Sequence, residues 1–153
     1  RASGVGYNND IAKKYDIQVS DQLTLDDLTE IGRQLKEKNT GIYLTSFGNL
    51  GNVESSAFTS LFDVEDFGGD MNYGVIFHPL DSTEIVNAYA SEEYRDFCRI
   101  MKLWRDEGYI PKDSLYSGVD AQSMFNTGFC SGQVYRREPF IWLEKRILVL
   151  MKY

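Results

Sequence analysis

Two segments of the sequence carry side chains suited to binding a polyhydroxylated ligand. Residues 47–54 follow a predicted strand and form a loop dense in glycine and asparagine, and residues 135–137 follow a second predicted strand. Amide and carboxylate groups bond to hydroxyls, and an aromatic ring stacks on the apolar face of a sugar. Strand ends are where ligands bind in α/β layers. The predicted site residues are Phe47, Asn49, Asn52, Glu54, Tyr135, Arg136 and Arg137.

The acidic residues of the 54–70 region leave a catalytic alternative open. A glycan-acting hydrolase needs two carboxylates facing a cleft, and a sequence alone does not establish that arrangement. A calcium loop fails the EF-hand template, because Phe67 and Gly74 stand where oxygen ligands are needed. We therefore expect a solvated acidic loop at 63–73 and no metal. No GxSxG elbow, P-loop or GxGxxG motif occurs, so no catalytic residue is predicted.

Composition and charge fit one globular domain and exclude several partners. The 153 residues are 42% hydrophobic, and the net charge of −7 opposes binding to nucleic acid or to an anionic membrane surface. With one histidine and two cysteines, a Cys₂His₂ zinc site is excluded, and no cofactor is expected. Cys98 and Cys130 are predicted to be buried free thiols, and His78 a structural histidine. No stretch is long and apolar enough to span a bilayer, and no signal peptide is visible.

Helices and strands of an α/β domain lead into both candidate segments. The strand predicted at 42–47 precedes the first segment. A helix capped by Asp120 and a strand at 129–135 precede the second, although this could also be an ordinary αβ unit with solvated arginines. Two amphipathic helices are predicted to begin after the caps Thr24 and Ser91, each with an apolar stripe at helical spacing.

Three further elements complete the prediction. Asn9 or Asp10 is expected to cap a short helix that runs through Tyr15. Strands at 75–78 and 84–88 predict a β-hairpin. The apolar tail 141–153 is competent to form a helix but too short to cross a bilayer.

The order of several short motifs resembles that of a known family. Residues 7–11 (YNNDI) resemble the Y-N-K-D-L stretch of bacterial extracellular solute-binding proteins of the sugar type (family 1), the capture components of ABC importers. Residues 23–28 (LTLDDL) resemble their K-T-W-D-E-L helix start. The W-x-x-E-G-Y-I ending at 104–110 and the F-N-T-G at 125–128 resemble their W-x-x-x-G-x-I and F-x-x-G motifs. The hairpin around 79–82 fits the lipoprotein branch of that family.

This resemblance implies a fold, a site and partners. The fold would be a type II periplasmic-binding-protein-like lobe, with helices packed on a small mixed sheet and a β-hairpin. Residues 1–137 would form the second lobe of a two-lobed receptor, and 138–153 a divergent apolar tail, either a hinge return or a truncated end. Residues 47–54 fall where the family places a stacking aromatic, and 135–137 where the chain approaches the ligand again.

The implied function is non-catalytic capture of a carbohydrate, an oligosaccharide, by lobe closure, followed by delivery to the membrane subunits of an ABC permease. The receptor would be extracytoplasmic, at the cell surface or in the periplasm, and lipid-anchored in the full-length protein. An isolated lobe could self-associate through its exposed inter-lobe face. The chain departs from the family where Phe129, Ser131 and Gly132 replace the usual Lys, Ala and Met. A hydrolase or a purely interaction-type domain remains the alternative.

Overall fold

A computed structural model of the chain describes residues 4–45, 65–66, 75–78, 84–112, 128–131 and 146–151. Helices and strands are mixed along these ranges, as expected for an α/β domain. In chain order the elements are β1 (Gly4–Asn8), α1 (Asn9–Tyr15), β2 (Gln22–Leu23), α2 (Leu25–Glu37), β3 (Glu65–Asp66), β4 (Val75–His78), β5 (Glu84–Asn87), a 3₁₀ turn (Ala88–Ala90), α3 (Glu92–Asp106), β6 (Cys130–Ser131) and β7 (Arg146–Met151).

The strands of the described residues form two sheets. The larger sheet has the order β2-β7-β1-β6 and is mixed, since β1 is antiparallel to β6 and β7, and β2 is parallel to β7. The smaller sheet has the order β3-β4-β5 and is antiparallel throughout. The predicted hairpin is confirmed, because Val75 pairs with Asn87 and His78 with Glu84.

Strand β1 passes directly into α1, and the residue at the junction caps the helix. The side-chain Oδ1 of Asn8 accepts hydrogen bonds from the backbone N–H groups of Asp10 (3.0 Å) and Ile11 (3.2 Å). The helix ends at Tyr15 as predicted, but the predicted caps Asn9 and Asp10 are wrong by one or two positions. Asn8 keeps the extended backbone that a cap needs, because it is also the last residue of the strand.

Helix α2 begins with the capping box that its sequence predicts. Thr24 Oγ1 accepts from the Asp27 backbone N–H (3.1 Å), and the Asp27 carboxylate accepts from the Thr24 backbone N–H (2.8 Å). These bonds from the Thr24 backbone and hydroxyl hold the pKa of Asp27 below its usual range. The box satisfies two backbone donors that the first helical turn would otherwise leave unpaired.

Helix α3 begins at the predicted cap, where Ser91 Oγ accepts from the Tyr94 backbone N–H at 3.1 Å. Its buried face holds Phe97 and Trp104, seven residues apart and therefore on one side of the helix. Cys98 is exposed, so the prediction of a buried thiol there is wrong. One residue along a helix turns the side chain by about 100°, which carries Cys98 away from that narrow face.

The core includes residues of both α2 and α3, and a hydrogen bond joins these two helices. Trp104 is 1% exposed, and its indole N–H donates to Thr29 Oγ1 of α2 at 2.8 Å. A buried indole N–H needs such a partner to offset its desolvation. The stripe that was predicted on α2 is buried, and each such side chain contributes roughly 1.5–3 kcal/mol. Its buried members are Leu28, Ile31 and Leu35, with Leu25 partly buried.

Four other sequence expectations about secondary structure need correction. In the described part of the predicted strand 42–47, residues 42–44 are not in a strand and Thr45 makes a β-bridge; residues 46 and 47 lie outside the described residues. The hairpin's second strand ends at Asn87, whose Oδ1 accepts from the Tyr89 backbone N–H (3.0 Å) and opens the 3₁₀ turn before Ala88. Within the expected acidic loop 63–73, Glu65–Asp66 form β3 because β4 offers them backbone partners.

The tail holds the fourth correction. It contains β7, a strand in place of the expected helix, and β7 pairs with both β1 and β2. Residues 146–151 (RILVLM) are an unbroken apolar run after the arginine. Such a run suits a strand with neighbours on both sides as well as it suits a helix, and only the presence of those partners decides between them.

Candidate functional site

Residues 43–45 lie just before the first predicted ligand segment, and we call them the first stem. Backbone hydrogen bonds hold this stem on both of its edges. The Leu44 backbone N–H donates to the Tyr109 carbonyl at 2.8 Å, and the Tyr43 carbonyl accepts from the Phe129 N–H at 2.9 Å. Leu44 is 1% exposed, so its side chain also anchors this stem in the core.

The second stem, residues 129–131, leads toward the second predicted segment. Phe129 is completely buried, and its carbonyl accepts from the Asn8 N–H at 2.9 Å. Its ring stacks on Tyr7 of β1 with the centroids 5.8 Å apart and the planes 26° apart. Cys130 and Ser131 then pair with β1 as strand β6. The second stem is therefore held between the first stem and β1.

The Tyr109 carbonyl holds one edge of the first stem through its bond with Leu44. The position of Tyr109 is in turn set by the end of α3. Gly108 takes a left-handed backbone with φ +74°, which glycine adopts readily at a helix C-terminus. This turn lets the Tyr109 N–H donate to the Trp104 carbonyl at 2.7 Å. Lys36 lies 5.9 Å above the Tyr109 ring and pairs with Glu107 at 3.1 Å, which ties α2 to the same turn.

The two stems are hydrogen-bonded to each other, and each precedes one of the predicted ligand segments in the sequence. Phe47 lies two residues beyond Thr45, and Tyr135 lies four residues beyond Ser131. At about 3.5 Å per extended residue, these spans reach roughly 7 Å and 14 Å from two hydrogen-bonded stems. Their convergence on one ligand is thus geometrically allowed. The predicted residues themselves lie outside the described residues: Phe47, Asn49, Asn52, Glu54, Tyr135, Arg136 and Arg137.

Sequence reasoning missed one polar residue at this place. Thr45 ends the first stem, is 5% exposed, and is the buried polar residue of the described chain. Its hydroxyl has no hydrogen-bond partner among the described residues. The signal in the sequence was a hydroxyl two positions before the predicted stacking ring, directly after residues 42–44.

Shifted pKa values in the described ranges belong to exposed helix surfaces and lie away from the stems in sequence. A hydrogen bond from Arg33 lowers the pKa of Glu30 to about 2, and a bond from Lys102 lowers the pKa of Asp106. Residues 4–45, 65–66, 75–78, 84–112, 128–131 and 146–151 contain no cluster of potential metal ligands. The same ranges contain no helix with the length and apolar character of a membrane span.

The chain resembles known proteins in its three-dimensional structure, whereas its sequence gives no match. No protein-family profile matches the sequence, and no curated protein matches it. Two crystal structures match, both of the N-glycan transport solute binding protein (NgtS) from Streptococcus pneumoniae, one in complex with Man1GlcNAc and one with Man5GlcNAc. The TM-scores are 0.60 and 0.61, each at 19% sequence identity.

The similarity extends over most of this chain but a small part of that protein. It covers 84% of this chain in both matches, and 28% and 27% of the NgtS chain. The chain therefore spans less than a third of the solute-binding protein that it matches. At 19% identity the match shows a shared fold, and the predicted resemblance to sugar-type solute-binding proteins is confirmed at that level.

Proposed function

We propose that this chain is part of an extracytoplasmic solute-binding protein that captures an oligosaccharide for an ABC importer. The observation that carries the proposal is the fold shared with a solute-binding protein whose structures contain N-glycan fragments, over 84% of this chain. Fold alone does not determine a ligand, because one fold can serve many functions. A second, local observation is therefore needed at the site.

The arrangement of the two stems supplies that local support. Both predicted ligand segments begin from backbones that are bonded to each other between Tyr43 and Phe129. A loop with an aromatic ring and amides can then meet a cationic segment around one sugar. Phe47 would stack on the sugar, Asn49, Asn52 and Glu54 would bond to its hydroxyls, and 135–137 would contact it from the second stem.

The proposed mechanism is closure of two lobes around the ligand. Residues 1–137 would form the second, type II lobe, and 138–153 would return toward the hinge. In this arrangement β7 pairs with β1 and β2, so the returning chain is part of the larger sheet. Closure would shield the sugar from water and strengthen each polar contact, because the local dielectric constant falls.

The remaining parts of the proposal concern the cellular setting. The closed receptor would dock on the membrane subunits of an ABC permease and release its sugar there. The full-length protein would be anchored by a lipid at the cell surface or in the periplasm. It would catalyse no reaction. A lobe isolated from its partner lobe would expose its ligand-facing surface and could self-associate.

Calorimetric titration of the full-length protein with Man5GlcNAc tests the proposal, followed by chromatography of the recovered sugar. We expect saturable binding, and we expect the sugar to be recovered intact. Shortened sugar would support the hydrolase alternative instead. An absence of binding to Man5GlcNAc and to a panel of other oligosaccharides would contradict the receptor function.

A further inference from the structure

We draw no further inference here: the strongest candidate, the exposed apolar surface at Ile85 of strand β5 and at Tyr89 of the 3₁₀ turn before α3, carries no proposal because nothing in the described residues shows what covers it.

Discussion

The Tyr109 ring lies so close to Gly32 that a side chain at position 32 has no room. A Cβ placed on Gly32 would lie 2.8 Å from both Cγ and Cδ2 of the Tyr109 ring and 3.1 Å from its Cβ. Gly32 sits inside α2, where glycine is about 1 kcal/mol less favourable than alanine. The close approach of the ring explains why glycine occupies this helical position despite that cost.

Gly32→Ala is therefore expected to destabilise the protein although alanine is the better helix former. Overpacking a core costs about 1–3 kcal/mol, and the gain in helix propensity offsets about 1 kcal/mol of it. We expect the free energy of unfolding in urea to fall by about 1 kcal/mol. In a Tyr109→Ala background the same substitution should cost less, because the Cγ and Cδ2 atoms that lie 2.8 Å from the added Cβ are absent. An equal loss in both backgrounds would contradict the clash as its cause.

At the residue level, the sequence predicts what depends on near neighbours. Thr24 and Ser91 were identified as caps because a cap needs only a polar side chain just before a stretch with apolar residues at helical spacing. The burial of Cys98 was predicted wrongly, because it depends on how wide a face α3 presents to the core. The burial of the Thr45 hydroxyl could not be predicted, since the backbone before it is held by the Leu44–Tyr109 and Tyr43–Phe129 hydrogen bonds, whose partners lie 65 and 86 positions apart along the chain.

In the larger sheet, strand β7 lies between β1 and β2 and pairs with both. It pairs with β1 over five residue positions, from Gly4–Leu150 to Asn8–Arg146, and with β2 over two. Within the described sheet, β2 has β7 as its strand neighbour. The connection between β2 and the rest of this sheet therefore passes through the C-terminal residues.

Ending the chain at Arg137 should accordingly disrupt the fold, because it removes β7 from between β1 and β2. We expect the shortened chain to lose the cooperative urea transition, followed by near-ultraviolet circular dichroism. Removing only Lys152 and Tyr153 is the matched control, since β7 ends at Met151 and should be retained. A shortened chain that unfolds cooperatively at an unchanged urea concentration would show that β7 is dispensable.

At the level of elements, the sequence predicts helices better than strands. Helices α2 and α3 have periodic apolar residues and their own caps, so local information is sufficient. The strands depend on partners that lie far away in the chain. Residues 42–44 have strand-like composition but bond to two irregular segments, and 146–151 have helix-compatible composition but lie between two strands.

At the scale of the whole molecule, the order of motifs was more informative than any single motif. Short matches at 7–11, 23–28, 104–110 and 125–128 predicted a sugar-type solute-binding protein, and the fold match to NgtS supports the same family of folds at 19% identity. Three of these motifs lie at helix ends in the structure, since Asn8 caps α1, Thr24 caps α2, and 104–110 contains the end of α3. The ligand residues depend on loops, which vary more freely than the elements they connect.

The proposed oligosaccharide site lies beyond the end of the first stem, and substitution of Phe47 tests this location. Phe47→Ala removes the ring that should stack on the sugar, while Phe47→Trp keeps an aromatic face. In calorimetric titrations of the full-length protein with Man5GlcNAc, we expect Phe47→Ala to bind about tenfold more weakly, equivalent to about 1.4 kcal/mol. Phe47→Trp should remain within about threefold of the unsubstituted protein. Unchanged affinity in Phe47→Ala, with an unchanged melting temperature, would contradict this location of the site.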